Sequence, residues 1–456
     1  MLNPNIFRAY DIRGIADIDL KDEVVYKLGQ AYGTYLVSGL KSLGSNLKIG
    51  VGQDVRLSSP RIAEKFIQGI LSTGVSVVNL GVVPTPVLYF SVFHYNYDGG
   101  VVITGSHNPQ EYNGFKIMRE KQTIYGSEIQ KLKRLIENND FKVGKGSLTN
   151  KNPTFEYMNF IKKRVDIFHA KQVLIDPGNG TCGPIASQVF KELGSLVECI
   201  HCEPDGSFPA HLPDPTIPEH MKDLIEKVRV VKADFGIGYD GDGDRIGVVD
   251  ELGNIIWGDK LLGLFAKDVL KKHPGASILF EVKCSQGLVE YIESLGGRPL
   301  MWKTGHSLIK AKMREVQALL AGEMSGHMFF GDNYYGYDDA IFASIKLLEI
   351  LSKEEKPLSK LISEIPSYYS TPEIRVDSRD EIKFELVNKI KEYFNAIYPI
   401  IDIDGVRVKF PDGWGLVRAS NTQPVLVLRF EAQTEVALEK IKKEIMNKLS
   451  EYSKNF

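Results

Sequence analysis

A unit of strand, helix, glycine and strand occurs three times in this 456-residue chain, and few folds accommodate it. In the first copy, residues 47–55 are a short apolar run containing Gly50 and Gly52, and Ser58-Ser59-Pro60 marks a helix start after a polar loop. Serine can accept from the free N–H groups of a first helical turn, and proline fits there because it has no N–H to lose. Ile62, Phe66, Ile67 and Ile70 fall on one helical face. Gly74 ends the helix, since an achiral residue turns left-handed without strain, and the β-branched run 75–80 follows. The second copy predicts strand 172–176, helix 184–193, stop Gly194 and strand 196–200. The third predicts strand 277–283, helix 286–295, stop Gly296-Gly297 and strand 298–303. Copies set a domain's length apart exclude a short-repeat solenoid. They predict three related α/β domains with mixed, mostly parallel sheets.

The C-terminal stretch reads differently. Strands are predicted at 373–377, 406–410 and 425–431, helices at 379–397 and 434–449, and a linker at 366–372. That pattern is an antiparallel α+β domain. The expected division is therefore 1–150, 151–252, 253–366 and 367–456.

Composition narrows the function classes. With 43% hydrophobic and 25% charged residues the chain matches ordinary globular proteins rather than disordered ones. A net charge of −2 provides no global basic field for nucleic acid or an anionic membrane. The longest apolar stretch, 75–83, is far short of the roughly 20 residues a membrane helix needs. Residues 1–5 lack the basic start and apolar run of a signal peptide, and four cysteines do not make a disulfide framework, so a cytoplasmic location is expected.

The sharpest local feature is Asp240-Gly241-Asp242-Gly243-Asp244-Arg245. Three carboxylates at alternate positions, loosened by glycine, repel one another unless a cation sits among them, and hard oxygen donors suit Mg²⁺ or Mn²⁺. The alternative is a solvated acidic turn. A calcium loop with Glu251 at its twelfth position fits less well, because Arg245 stands where that loop needs glycine. A dinucleotide pattern, Gly178-x-Gly180-x-x-Gly183, lies between a strand and a helix, where a tight turn explains it equally well. Thr104-Gly105-Ser106-His107-Asn108-Pro109 follows an apolar strand, and Lys116 lies ten residues beyond a serine that could be a nucleophile. Gly322-Glu323-Met324-Ser325-Gly326-His327 offers groups suited to sugar hydroxyls. Arg418-Ala419-Ser420-Asn421-Thr422-Gln423-Pro424 offers a guanidinium, hydroxyls and an amide suited to phosphate, or is a polar hairpin loop. Cys199-x-x-Cys202 resembles half a zinc site, but with no second pair the two cysteines read as buried thiols.

Taken in order with Arg8-Ala9-Tyr10-Asp11-Ile12-Arg13-Gly14, these segments resemble the α-D-phosphohexomutase family, in its phosphomannomutase/phosphoglucomutase branch. The resemblance spans the chain and implies three related α/β domains plus a distinct fourth around a central cleft. It implies that Ser106 carries a phosphoryl group, and that Asp240, Asp242 and Asp244 bind one Mg²⁺ per chain together with a phosphoserine oxygen. It implies that Glu323 and Ser325 read sugar hydroxyls, and that Arg418, Ser420, Asn421 and Thr422 hold the phosphate that is not reacting. Tyr10, Arg13, Lys116, Arg245, Lys283, His306 and His327 match further active-site positions, with His306 or His327 as the base. The implied reaction interconverts hexose 1- and 6-phosphates through a hexose 1,6-bisphosphate, which also serves as activator. Gly105, Met324 and Asn421 resemble the mannose/glucose branch rather than the phosphoglucosamine branch, which stays as the alternative. A nicotinamide-dependent dehydrogenase and a non-catalytic calcium-binding protein are the alternatives from other classes.

Overall fold

The computed structural model describes residues 2–39, 47–421 and 423–453. The repeat folds as four strands in each copy. Strand Lys48–Gln53 pairs in parallel with Ser76–Val82 on one side and Gly99–Ile103 on the other, and Gly99–Ile103 pairs antiparallel with Tyr112–Arg119. In the second copy Gln172–Asp176 lies between Leu196–Cys199 and Phe235–Tyr239, both parallel, with Ile246–Asp250 antiparallel beyond. In the third, Ser277–Glu281 lies between Arg298–Trp302 and Leu320–Gly322, both parallel, with Met328–Phe330 antiparallel beyond. The hairpin that joins the last two strands of each copy is residues 104–111, 240–245 and 323–327, so three of the four motif loops occupy one equivalent position. That position is the C-terminal end of a parallel strand, where open α/β sheets place ligands.

Local chemistry explains these elements. Helix Ser59–Leu71 buries Ile62, Phe66, Ile67 and Ile70, each such side chain contributing about 1.5–3 kcal/mol. Gly74, Gly194 and Gly296 all have positive φ at their helix ends. The serine cap is a correction. Ser58 sits at the N-cap position without a capping hydrogen bond, and its hydroxyl accepts instead from Asn113 at 2.9 Å.

The C-terminal sheet is antiparallel, with Val425–Ala432 between Ile374–Asp377 and Gly413–Ala419, and Val406–Phe410 next to the latter. Helices Lys383–Asn395 and Glu435–Ser453 pack on this sheet through Ile390, Phe394, Ile441 and Ile445. Strand Gly413–Ala419 was not foreseen, and it moves Arg418 from a loop onto a strand, opposite Val427. Its Trp414 and Leu416 join Val282 of the third unit in a small apolar cluster. Arg407 secures the same junction by donating to the carbonyls of Val282 and Cys284, both at 2.8 Å. One large core runs through all three repeat units and includes Phe90, Phe190, Phe235, Phe265 and Phe342. Among the described residues no helix is long and apolar enough to cross a membrane.

Candidate active site

Ser106 is buried at the tip of the first hairpin, with a left-handed φ of 49°. A non-glycine residue held there carries strain that the surroundings must impose. Those surroundings centre on Arg56, a fully buried residue that the sequence reading did not single out. Its guanidinium donates to the carbonyls of Ser106 at 2.8 Å, Asn108 at 2.5 Å, Pro109 at 2.5 Å and Tyr112 at 3.0 Å. Asp54 pairs with it at 3.2 Å and accepts from the backbone N–H of Gly105 at 3.0 Å. Gly105 is glycine for space, since a Cβ there would lie 2.4 Å from Arg56 Nε.

The Ser106 hydroxyl points at the second hairpin and donates to Asp240 Oδ2 at 2.8 Å. His107 Nδ1 lies 3.1 Å from Ser106 Oγ. Burial, with the charges of Arg245, Arg13 and Lys116, holds the His107 pKa well below 6.5. Asp240, Asp242 and Asp244 are all fully buried, and one ligand atom from each lies within 4.8 Å of the others. Lys116 reaches across from strand Tyr112–Arg119 to Asp242 at 2.6 Å and also to Asp244. Burial and the charges of Asp242 and Asp244 push the Asp240 pKa well up. Burial also acts to raise Asp242, but Lys116 outweighs it and holds that carboxyl below its ordinary range. Lys116 and Arg245 together set two positive charges against three carboxylates, which leaves the triad short of positive charge. Asp242 Oδ1 and Asp244 Oδ1 are buried without a hydrogen-bond partner among the described residues. Hard oxygen donors with unmatched lone pairs fit a divalent cation.

The third hairpin meets the second. Arg245 donates its Nε–H to His327 Nε2 at 3.1 Å, and the N–H of Ile246 donates to the carbonyl of Gly326 at 3.1 Å. His306 stacks on His327 with ring centroids 5.5 Å apart. Burial and Lys310 lower the His306 pKa to about 4. The fully buried Asp338, also missed from sequence, lies within 3.2 Å of both imidazoles.

A second group of side chains faces the C-terminal sheet. Glu323 accepts from the Gly305 N–H at 2.6 Å, and burial beside Glu281 raises its pKa. Lys283 pairs with Glu373 at 3.0 Å. Tyr10 donates to the Thr304 carbonyl at 2.9 Å and accepts from Asn421 at 2.5 Å. Arg418 pairs with Asp404 at 3.0 Å, and Arg13 donates to Asn108 at 2.6 Å. The Ser420 hydroxyl accepts from the Gln423 N–H at 3.1 Å, and Ser325 is half-buried in its hairpin. Thr422 lies outside the described residues.

Two lookalikes fail on geometry. Glu251 accepts from the backbone N–H and hydroxyl of Ser359, and strands flank the aspartate loop, so no calcium-type helix–loop–helix exists there. Gly180 and Gly183 serve close backbone approach: a Cβ on Gly180 would lie 2.9 Å from the Gly241 carbonyl, and one on Gly183 would lie 2.1 Å from the Cys202 carbonyl. The turn is filled by protein, which leaves no cradle for a pyrophosphate. The buried-thiol reading of the cysteine pair also fails. Cys199 and Cys202 are only half-buried, with their Cα atoms 5.9 Å apart at the strand end.

Comparison with known proteins accords with this architecture. The chain matches the phosphoglucomutase/phosphomannomutase α/β/α domains I, II and III over residues 4–143, 155–253 and 257–369, and the C-terminal domain of the same family over 373–448. It is 47% identical to a phosphomannomutase/phosphoglucomutase of Pseudomonas aeruginosa, with 98% of this chain and 96% of that one covered. It is 43% identical to a phosphoglucomutase of Neisseria meningitidis, covering 96% and 95%. A crystal structure of a phosphoglucomutase/phosphomannomutase family protein from Burkholderia thailandensis superposes with a TM-score of 0.92 at 41% identity, covering 98% of each chain. The equivalent hairpins, the four matched domains and these relatives together make the chain a member of the phosphoglucomutase/phosphomannomutase family.

Proposed function

We propose that this chain is a phosphohexomutase that interconverts the 1- and 6-phosphates of mannose, glucose or both. The reaction runs through a phosphoserine at Ser106 and a hexose 1,6-bisphosphate. The observation that carries this reading is the 2.8 Å hydrogen bond from the Ser106 hydroxyl to Asp240, in a carboxylate triad with two unpartnered oxygens. A nucleophile beside three carboxylates that would hold a divalent cation suits transfer of a phosphoryl group.

Asp240, Asp242 and Asp244 would hold Mg²⁺ beside the phosphoserine. When bound, the ion supplies positive charge to the oxygens of the transferring group, the main requirement of phosphoryl transfer. Lys116 and Arg245 add fixed charge at the same place. In the forward step a sugar hydroxyl attacks phosphorus, the bond to Ser106 Oγ breaks, and the hydroxyl proton passes to an imidazole. His327 Nδ1 lies 3.7 Å from Asp244 and 3.2 Å from Asp338 while its Nε2 accepts from Arg245, and His306 stacks against the same ring, so the base is His306 or His327. The bisphosphate then turns over and returns its other phosphate to Ser106, so no phosphate is consumed. Glu323 and Ser325 would read sugar hydroxyls, and Arg418, Ser420, Asn421 and Thr422, with Tyr10, Arg13 and Lys283 around them, would hold the phosphate that is not reacting.

Phosphorus NMR tests this directly. Glucose 1-phosphate and mannose 1-phosphate should both convert to their 6-phosphates with Mg²⁺ and a trace of bisphosphate, and EDTA should stop the reaction. Failure to convert any hexose phosphate would remove the reading. Faster conversion of glucosamine 1-phosphate would assign the chain to phosphoglucosamine instead.

A further inference from the structure

The second repeat carries a cluster that the proposed reaction does not use. Asp176 ends strand Gln172–Asp176 and is buried. His201 follows the neighbouring parallel strand Leu196–Cys199, and the N–H of Ile200 still bonds to the Ile175 carbonyl at 2.9 Å. Carboxylate and imidazole therefore sit at the C-terminal ends of adjacent parallel strands. His211 comes from the loop that follows. His201 Nδ1 lies 3.1 Å from Asp176 Oδ1, His211 Nε2 lies 3.1 Å from Asp176 Oδ2, and one ligand atom from each of the three residues lies within 4.8 Å of the others.

The hydrogen bond on the far side of His211 decides what this arrangement can be. His211 Nδ1 lies 2.9 Å from the carbonyl oxygen of Leu212. A carbonyl only accepts, so Nδ1 carries a proton. A neutral ring then presents a bare lone pair from Nε2 to a carboxylate oxygen, which is repulsive. A cation must sit between them, either a second proton on the ring or a metal ion. Metal-ligating histidines commonly donate their other ring N–H to a backbone carbonyl, as His211 Nδ1 does to Leu212. The spacing agrees. Two ligand atoms about 2.0 Å from a tetrahedral ion lie about 3.3 Å apart, close to the 3.1 Å found twice here. His201 holds a left-handed φ of 49°, which turns its ring back toward Asp176.

We propose that Asp176, His201 and His211 form a second metal site, for a first-row transition ion such as Zn²⁺ or Co²⁺, separate from the aspartate triad. Two imidazoles, which are borderline donors, beside one carboxylate favour such ions over Mg²⁺. An ion there would tie two strand ends to the loop whose Pro213 packs against Gly241, behind the aspartate triad. The adjacent Cys199 and Cys202 are not part of this ligand set.

The test uses the full chain, stripped with chelator and titrated with Co²⁺ in a large excess of Mg²⁺. Uptake is followed by visible absorption, and Zn²⁺ uptake by competition with a chromophoric chelator. The wild type and Asp242→Asn should each take up one equivalent in an oxygen–nitrogen environment. His201→Asn, chosen because asparagine tolerates the left-handed backbone, and His211→Gln should each weaken uptake at least about tenfold, the loss caused even by removing an outer-shell partner. Thermal melting should show both variants folded. A Cys199→Ser/Cys202→Ser double variant should bind as the wild type does. Loss of uptake in excess Mg²⁺ or in Asp242→Asn would place the ion in the triad and overturn the proposal. Unchanged affinity in both histidine variants, or loss in the cysteine variant, would overturn it equally.

Discussion

Asp338 Oδ2 lies 3.2 Å from His327 Nδ1. The same oxygen is 3.2 Å from His306 Nδ1, and Asp338 Oδ1 accepts from Lys310 at 2.8 Å. Because His327 Nε2 accepts from Arg245, the proton of a neutral His327 ring is on Nδ1, facing Asp338. The carboxylate thereby selects the tautomer whose lone pair is on Nε2. Asp338→Asn keeps the volume but can offer a donor where an acceptor is needed. If His327 takes the hydroxyl proton, kcat should fall roughly 10²- to 10⁴-fold with little change in KM, and Asp338→Glu should recover part of it. Steady-state rates across pH check this, and a loss below tenfold would show that Asp338 does not position the base.

Arg56 should matter as much as residues that touch substrate. It gathers four carbonyls of the serine hairpin into one fork, a geometry lysine cannot reproduce. Arg56→Lys should fold and lose more than tenfold in turnover. Arg56→Met, which leaves Asp54 without its ion pair in the core, should cost about 3–5 kcal/mol in urea unfolding.

Acid stability follows from His306. Its folded pKa is about 4 against 6.5 for an ordinary histidine, lowered by burial and Lys310. Between these values the unfolded chain binds a proton that the folded chain does not, so stability rises with pH there and is lost as pH falls from 6.5 toward 4. The difference corresponds to about 3 kcal/mol. Melting temperatures of wild type and His306→Asn should converge as pH falls through this window. Parallel curves would assign the acid sensitivity elsewhere.

The pairing of Arg418 with Asp404, beside the Asn421–Tyr10 hydrogen bond, places one guanidinium against the phosphate-suited loop. Hydrogen bonds to charged groups contribute about 1.5–3 kcal/mol each. Arg418→Ala should therefore weaken hexose-phosphate binding roughly 10- to 150-fold by calorimetry. It should also make turnover more dependent on added bisphosphate, through escape of the intermediate. Unchanged affinity would make this segment only a hairpin.

The repeat was legible because its signals are local: glycine stops, β-branched runs and a one-sided helix such as the one carrying Ile62 and Phe66. The loops were legible because their chemistry is concentrated in six or seven consecutive residues. What stayed hidden acts at long range. Arg56 is one basic residue after a strand, and only the fold brings the Ser106 carbonyl beneath it. Asp338 is masked by Asp339, which caps the next helix by accepting from Phe342 N–H at 2.8 Å and supplies a sufficient local reason for an acidic pair. Strand Gly413–Ala419 escaped because Gly413 and Gly415 weaken its β signal, while a Cβ on Gly415 would lie 2.4 Å from Ile445. His211 gave no signal at all, since its partner Asp176 is 35 residues away in sequence.

The central claim is that Ser106 both accepts and returns a phosphoryl group. Protein incubated with glucose 1,6-bisphosphate labelled in both phosphates, then freed of sugar and digested, should carry label on the peptide containing Ser106. Adding unlabelled glucose 1-phosphate to the labelled protein should move that label into bisphosphate and glucose 6-phosphate at a rate no slower than turnover. Ser106→Ala should take up none. Label that stays on the protein while hexose phosphate turns over, or turnover by Ser106→Ala within tenfold of wild type, would contradict the account.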